Sequence, residues 1–330
     1  MKEVCIITDL HRIEGEDYTA WQIRCALAKR RKETDMDWIE IRDMLGIDIT
    51  PDQFRKMAVG IELYDNYIHN TNGIATRILS ISDAHVPFNL PIEIFKDYKN
   101  KVDVLVFNGD TEDCQSCSSF SRQYRVGLDE EMVLTRQYMI DVINLILPKN
   151  VVVLIGNHEY RLARLLSERL NDDILSIMPD SPLELIVNKG FHIKDRRNRT
   201  ETWYSPLTDI FDGSIDIEYN GDWYKMIGRT IFAHPLSYSS GMLKTTEKAV
   251  NFFLRENRDF NAICLGHTHK LGSYFQGKIK MYEQGCTCDL SKLDYNNGKL
   301  VLPGQNGFIY ICQDIDGNII DSKSKLVTLD

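Results

Sequence analysis

No apolar run in this 330-residue chain is long enough to cross a membrane, which excludes the helical membrane-spanning class and predicts no membrane partner. The first ten residues set Lys2, Glu3 and Asp9 around a short apolar patch, which is not the pattern of a secretory signal. Internal repeats and low-complexity tracts are missing too, so a solenoid or a linker-rich chain is not expected. A basic excess is absent. The formal net charge is −9, which argues against a protein coated in nucleic acid but leaves room for a local basic groove. Cysteine gives no framework. Cys5, Cys25, Cys114, Cys117, Cys264, Cys286, Cys288 and Cys312 are scattered, and without a secretion signal they read as reduced thiols in a cytoplasm-like compartment. Cys114-x-x-Cys117 and Cys286-x-Cys288 could be combined into a zinc site, but Cys-x-Cys is poor for a zinc knuckle, so buried or idle thiols are the default.

What is present is ordinary globular material: 43% hydrophobic and 26% charged residues, enough for a sizeable core. The length allows one large domain with a small one, or two domains. Residues 1–72 read as a helical module. Asp17 to Lys32 carries Trp21, Ile23, Ala26, Leu27 and Ala28 and ends in the basic cluster Lys29-Arg30-Arg31-Lys32. Asp37 to Leu45 has apolar residues at helical spacing, and Gly46 stops it. Thr50-Pro51-Asp52-Gln53 opens a third helix running to about Ile68, with Thr as cap, Pro in the first turn and Gln three residues after the cap. The junction Gly46-Ile47-Asp48-Ile49 resembles that of a helix-turn-helix, with Gln53, Arg55 and Lys56 on the second helix as DNA contacts. The alternative is a docking module for a protein partner or a second copy, which suits the acids Asp35, Asp37, Glu40, Asp43, Asp48 and Asp52.

Over residues 73–330 the texture changes to strand, loop, helix. Strands are predicted at Arg77 to Ser82, Val102 to Phe107, Val151 to Ile155, Thr230 to Ala233 and Ala262 to Leu265. Helices are predicted at Pro91 to Lys99, Glu130 to Leu147 and Arg161 to Leu170, giving α/β layering. From Gly272 onward the pattern is strand and turn, and Asn188 to Ile227 is β-like with aromatics and the basic run Lys194 to Arg199.

Each of the five strands runs into a residue able to bind a metal. Asp83 and His85 follow the first, Asp110 the second, Asn157 and His158 the third, His234 the fourth, and His267 and His269 the fifth. Of eight histidines, five stand just past a strand, while His11, His69 and His192 do not. One such histidine is most simply a core or capping residue; five strand ends together imply a metal site, because ligands bind beyond the carboxyl ends of strands in one sheet. Carboxylates, imidazoles and one amide without thiolate suit Mn, Fe, Zn or Mg. About seven ligands exceed the need of one open site and fit two ions sharing a carboxylate.

Asp83-x-His85, Gly109-Asp110, Gly156-Asn157-His158-Glu159, His234 and Gly266-His267-Thr268-His269, in that order, resemble the calcineurin-like metallophosphoesterase superfamily. The stretches Ser82 to Phe88, Gly266 to Tyr274 and Glu283 to Leu290 resemble a phage- and prophage-encoded branch of phosphoesterases or nucleases. The resemblance implies an α/β fold, a layered sandwich of two β-sheets flanked by helices, with the small helical module in front. It implies hydrolysis of phosphoester bonds by a hydroxide bridging two divalent ions, Mn foremost, with Fe, Zn or Mg as alternatives. Asp83, His85 and His269 would hold one ion, Asn157, His234 and His267 the other, and Asp110 would bridge. His158 would serve as acid or charge stabiliser near the leaving group. Glu159 would orient His158 or balance a helix dipole. His234 lies between Ala233 and Pro235, where the family usually has an adjoining glycine. Asp113 could touch the site or cap the next turn, and the cap is the favoured reading. Candidate substrate contacts are Arg161 first, then Arg164, Arg122, Arg125 and Lys244, with a solvated face as the plainer reading of most. The basic run reads as a mobile loop, a solvated turn or a nucleic-acid contact. A phosphodiesterase or nuclease acting on DNA, RNA or nucleotides in a bacterial or phage-infected cytoplasm is the leading expectation. The alternatives are a phosphomonoesterase or protein phosphatase, and a DNA-binding or scaffold protein with a vestigial site.

Overall fold

The computed structural model describes residues 10–71, 73–119, 126–195, 197–293 and 303–329. The chain forms two compact units, Met1–Gly73 and Ile74–Asp330. In the first, helix α1 spans Tyr18–Arg30, α2 Trp38–Leu45 and α3 Pro51–Thr71. Each begins where the sequence supplies a cap. Asp17 accepts the amides of Thr19 and Ala20, and Asp37 and Glu40 form a reciprocal capping box. Thr50 Oγ1 accepts from Gln53 N at 3.2 Å while Thr50 N donates to Gln53 Oε1 at 2.9 Å. Gly46 ends α2 at φ +64°, the left-handed conformation that glycine adopts without a Cβ clash. Trp21, Cys25, Ala26, Ile41, Leu45, Phe54 and Ala58 bury together as this unit's core. Arg55 and Lys56, read as DNA contacts, are exposed and paired with Asp52 on the same helix.

The second unit begins with β1 (Thr76–Ile81), a 3-10 turn at Ile92–Tyr98, β2 (Val104–Asn108), α4 (Leu128–Ile146), β3 (Asn150–Leu154) and α5 (Tyr160–Ser167). Short helices α6 (Asp172–Leu175) and α7 (Pro182–Glu184) lead to β4 (Phe191–Asp195) and β5 (Thr200–Tyr204). Then come α8 (Leu207–Ile210), β6 (Asp216–Tyr219), β7 (Tyr224–Ile227), β8 (Thr230–Ala233), α9 (Lys244–Arg255) and β9 (Ala262–Leu265). The unit ends with β10 (Leu271–Gln276), β11 (Ile279–Gln284), β12 (Gly307–Gln313) and β13 (Lys325–Thr328). The helix expected at Pro91 to Lys99 is a tighter 3-10 segment. Its apolar contacts include Ile92, Phe95 and Tyr98, three residues apart, the repeat of a 3-10 turn.

The five strands expected in one sheet fall into two. One sheet runs β13-β12-β1-β2-β3-β6, with β1, β2, β3 and β6 parallel; the other runs β10-β11-β9-β8-β7, with β8, β9 and β11 parallel. The sheets stack because both carry apolar inner faces. Ile78, Val104, Val106, Val152, Leu154, Ile309 and Ile311 bury against Phe232, Cys264 and Tyr282. The outer face of the first sheet is covered by α4 through Met139, Val142, Ile143 and Ile146, and that of the second by α9 through Ala249, Val250 and Phe253. The result is a mixed α/β fold of two sheets flanked by helices. The central strands β1, β2, β3, β8 and β9 are buried over nearly their whole length, which is why they read as continuous apolar runs. No helix among the described residues is long and apolar enough to cross a membrane.

Candidate metal centre

The carboxyl ends of β1, β2 and β3 meet those of β8 and β9 across the two sheets. Five of the seven candidate ligands leave their strands in left-handed backbone: Asp83 at φ +53°, His85 at +47°, Asp110 at +50°, His267 at +75° and His269 at +53°. Non-glycine residues rarely stay there unless the surroundings force them, and such strain collects at functional sites. The turns aim these side chains at one another. His85 Nε2 lies 3.1 Å from His269 Nε2, and His269 Nε2 lies 3.1 Å from Asp83 Oδ1. His234 Nε2 lies 3.2 Å from Asp110 Oδ2 and 3.3 Å from Asn157 Oδ1. Asp83, His85 and His269 therefore form one trio, and Asp110, His234 and His267 a second, each with ligand atoms mutually close enough to share an ion. His158 stands with His85 and Asp113 in a third grouping.

The residues fit divalent ions. Two imidazole nitrogens at 3.1 Å need a proton or a cation between their lone pairs. His267 Nε2 is buried with no hydrogen-bond partner among the described residues. Burial alone would raise the carboxyls of Asp83 and Asp110, yet the histidines around them hold both below the usual range. The donors are oxygen and nitrogen. The seven described cysteines are buried free thiols, and no metal-capable grouping among the described residues contains one, so the zinc alternative from cysteine finds no support.

The surrounding groups fix which ring nitrogen points inward. His234 Nδ1 donates to Asn108 O at 2.8 Å, leaving Nε2 to face Asp110. His85 Nδ1 lies 3.3 Å from Asp113 Oδ1, leaving Nε2 for the first trio. Room for the His234 ring comes from glycines of other motifs. A Cβ on Gly109, which stands at φ +77°, would lie 2.5 Å from the ring, and one on Gly266 would lie 2.7 Å from Nδ1. The glycine missing beside His234 in sequence is thus supplied across space.

His158 donates its backbone N–H to Asp110 Oδ1 at 2.8 Å. Its Nδ1 lies 2.8 Å from Asp113 Oδ1, and its Nε2 faces Arg161 Nη2 at 2.7 Å. Arg161 is 8% exposed and also donates Nη1 to Asp113 O at 2.8 Å. Asp113 is therefore no turn cap. It is fully buried between His85 and His158, and the only sequence signal for it was an acid three residues past Asp110. Glu159 does not orient His158 either. Its carboxylate is fully buried and accepts the amides of Asp110 at 3.0 Å, Glu112 at 3.0 Å and Gly156 at 2.8 Å, and it makes no side-chain cap to α5. Burial, with Asp110 nearby, pushes that carboxyl up to about 7 against the pull of the amides. Its contacts tie together the loops that carry Asp110, Glu112 and Gly156.

Among the other cations, Arg164 is exposed on α5, and Lys244 is held by Glu247 at 2.7 Å on α9. Arg122 and Arg125 lie outside the described residues. Lys194 faces Glu201 at 3.7 Å on the β4–β5 ribbon, and Arg197 and Arg199 are exposed at its turn, while Arg196 lies outside the described residues.

A family model described as calcineurin-like phosphoesterase matches residues 76–271. No curated protein matches the chain. Among solved structures, it is similar to vacuolar protein sorting 29 from Cryptosporidium parvum, at 15% identity over 78% of this chain and 97% of that chain, with a TM-score of 0.37. It is similar to an archaeal phosphodiesterase, at 14% identity over 77% of this chain and 99% of that chain, with a TM-score of 0.36. It is also similar to Vps29 complexed with Zn2+ from Entamoeba histolytica, at 13% identity over 77% of this chain and 98% of that chain, with a TM-score of 0.36.

Proposed function

The chain belongs to the calcineurin-like phosphoesterase family, and from that premise we propose that it is a two-metal phosphodiesterase acting on nucleic acid or nucleotides. The observation that carries the reading is the pair of adjoining trios, in which His85 Nε2 and His269 Nε2 converge beside Asp83 while Asp110 and Asn157 converge on His234. Asp83, His85 and His269 would hold one divalent ion, Asn157, His234 and His267 the other, and Asp110 would serve both. Manganese is the first candidate, with iron, zinc or magnesium as alternatives. Bound there, the ions would supply Lewis acidity toward the phosphoryl group and lower the pKa of water.

The protein's own groups do the rest. Asp113 accepts a hydrogen bond from His158 Nδ1–H, which leaves Nε2 for the substrate side, where Arg161 stands against it. His158 and Arg161 form one unit that meets the phosphoryl and leaving-group oxygens; a guanidinium suits paired oxygens of that kind. Glu159 acts through the backbone by holding the Asp110, Glu112 and Gly156 amides in place. The likeness of the motif-flanking stretches to phage-encoded nucleases favours a diester over a monoester. The N-terminal unit, with its helix-turn-helix-like junction, is a further candidate for contact with DNA or a protein partner.

The test is the full chain loaded with Mn2+ and assayed on single- and double-stranded DNA, RNA, cyclic nucleotides, and a bis-aryl beside a mono-aryl phosphate. Turnover of diesters is expected. Hydrolysis of the monoester alone overturns the reading in favour of a phosphomonoesterase.

A further inference from the structure

Past His234 the chain runs from Pro235 to Leu243 without helix or strand. Three side chains of this loop are apolar and exposed: Leu236 at 50%, Tyr238 at 61% and Met242 at 48%. Single exposed apolar residues are ordinary. Tyr238 differs in its placement, because its ring meets His267 edge-on, with centroids 5.4 Å apart and planes at 68°. A T-shaped contact occupies at most one face of the tyrosine ring, so the exposed ring keeps a face for another aromatic group.

The loop is also fastened. Lys270, only 5% exposed, donates Nζ to Ser240 O at 2.6 Å and reaches Ser239 O at 3.4 Å. Ser239 N donates to Thr245 Oγ1 at 2.9 Å, and Leu243 N donates to the buried Glu283 at 3.0 Å. Lys270 directly follows His269, so the motif that contributes two candidate ligands also ties down the loop. Burying an ammonium group is costly unless its hydrogen bonds are made, and here loop carbonyls make them. A fastened loop beside the metal centre presents an aromatic ring to solvent at little further ordering cost, since tyrosine has only two side-chain torsions.

We propose that Tyr238 is the stacking platform for a nucleobase, so that the substrate is a nucleotide-type phosphodiester whose base lies on this ring while its phosphate lies at the Asp110, His234 and His267 cluster. The proposal rests on the phosphodiesterase reading above and narrows it to esters that carry an aromatic base. Stacking on a lone aromatic tolerates any base, because every base has a π-face.

The experiment uses the full chain with Mn2+ and two diesters sharing one chromophoric leaving group, thymidine 5′-(4-nitrophenyl) phosphate and methyl 4-nitrophenyl phosphate. Tyr238→Ala should raise KM for the thymidine ester about tenfold or more beyond any change in the methyl ester, the scale of one base–aromatic stack. Tyr238→Phe should behave as the parent. Calorimetry with thymidine 5′-monophosphate gives a reading independent of turnover, and Tyr238→Ala should weaken that binding by a similar factor. Equal effects on both esters, or no effect on either ester or on monophosphate binding, overturn the proposal. Turnover of neither diester by the parent, with Tyr238-dependent nucleotide binding retained, would sink the hydrolase reading while leaving the platform standing.

Discussion

Replacing Glu159 tests the geometry of the centre through a residue whose contacts are to backbone amides. Its carboxylate accepts three buried backbone amides, two through Oε2 from Asp110 and Gly156 and one through Oε1 from Glu112. Hydrogen bonds to a charged group contribute about 1.5–3 kcal/mol each, so three amount nominally to about 4.5–9 kcal/mol. They share one carboxylate and are not additive, and water entering the space left by alanine would satisfy part of the loss. Glu159→Ala should therefore cost about 3–5 kcal/mol. With a urea m value of about 3 kcal/mol/M, that lowers the midpoint by about 1–1.7 M. Glu159→Gln should fall between. Its amide oxygen can keep the Asp110 and Gly156 amides, but its NH2 then faces the Glu112 N–H, donor against donor. Urea unfolding at pH 8, followed by amide exchange of the strand Asn150–Leu154, reads this unit alone. Mn2+ affinity should drop about 10–100-fold in the same variants, because the backbone that carries Asp110 is no longer held. A Glu159→Ala protein within about 0.5 kcal/mol of the parent, with unchanged Mn2+ affinity, would refute the reasoning.

Asp110→Asn removes the carboxylate of the second trio, the one proposed to serve both ions. It should lose both ions by elemental analysis and nearly all activity. His158→Ala should keep its metal and lose turnover by about 10²–10⁴-fold, and stoichiometric loss of metal would show that His158 is a ligand instead. Asp113→Asn should lower metal affinity and kcat together, by about 10–100-fold, since it faces both His85 and His158; calorimetry with Mn2+ and steady-state kinetics check the two. Phe54→Ala, in the core of the N-terminal unit and edge-on to Trp38, should cost that unit about 3–5 kcal/mol while hydrolysis of a small diester continues unchanged, as read by amide exchange and by rate.

Much of the centre was legible in the sequence because each strand is a short β-branched run that ends abruptly in a polar motif. The termini of β8 and β9 coincide with the runs Thr230 to Ala233 and Ala262 to Leu265. The resemblance implied two sheets, but which strands belong to which was hidden in the chain order, because periodicity marks a buried strand without saying which neighbour it joins. Caps were readable for the same local reason: Asp17, Asp37 and Thr50 act within three residues of themselves. Asp113 and Glu159 were misread because their partners are remote. Asp113 faces His158 and Glu159 faces the Asp110 amide, 45 and 49 residues away, and no local pattern reports such distances. The glycines that admit His234 were visible as letters, but their common neighbour was not. Lys270 carried no signal of its own in the sequence, and only the fold shows it buried against the 239–240 carbonyls.

The central claim is a pair of divalent ions held by these seven side chains. Anomalous scattering at the manganese edge, from crystals of the full chain grown with Mn2+, tests it most directly. Two peaks are predicted, one among Asp83, His85 and His269 and the other among Asn157, His234 and His267, with Asp110 reaching both. A single peak, or peaks away from these side chains, would contradict it.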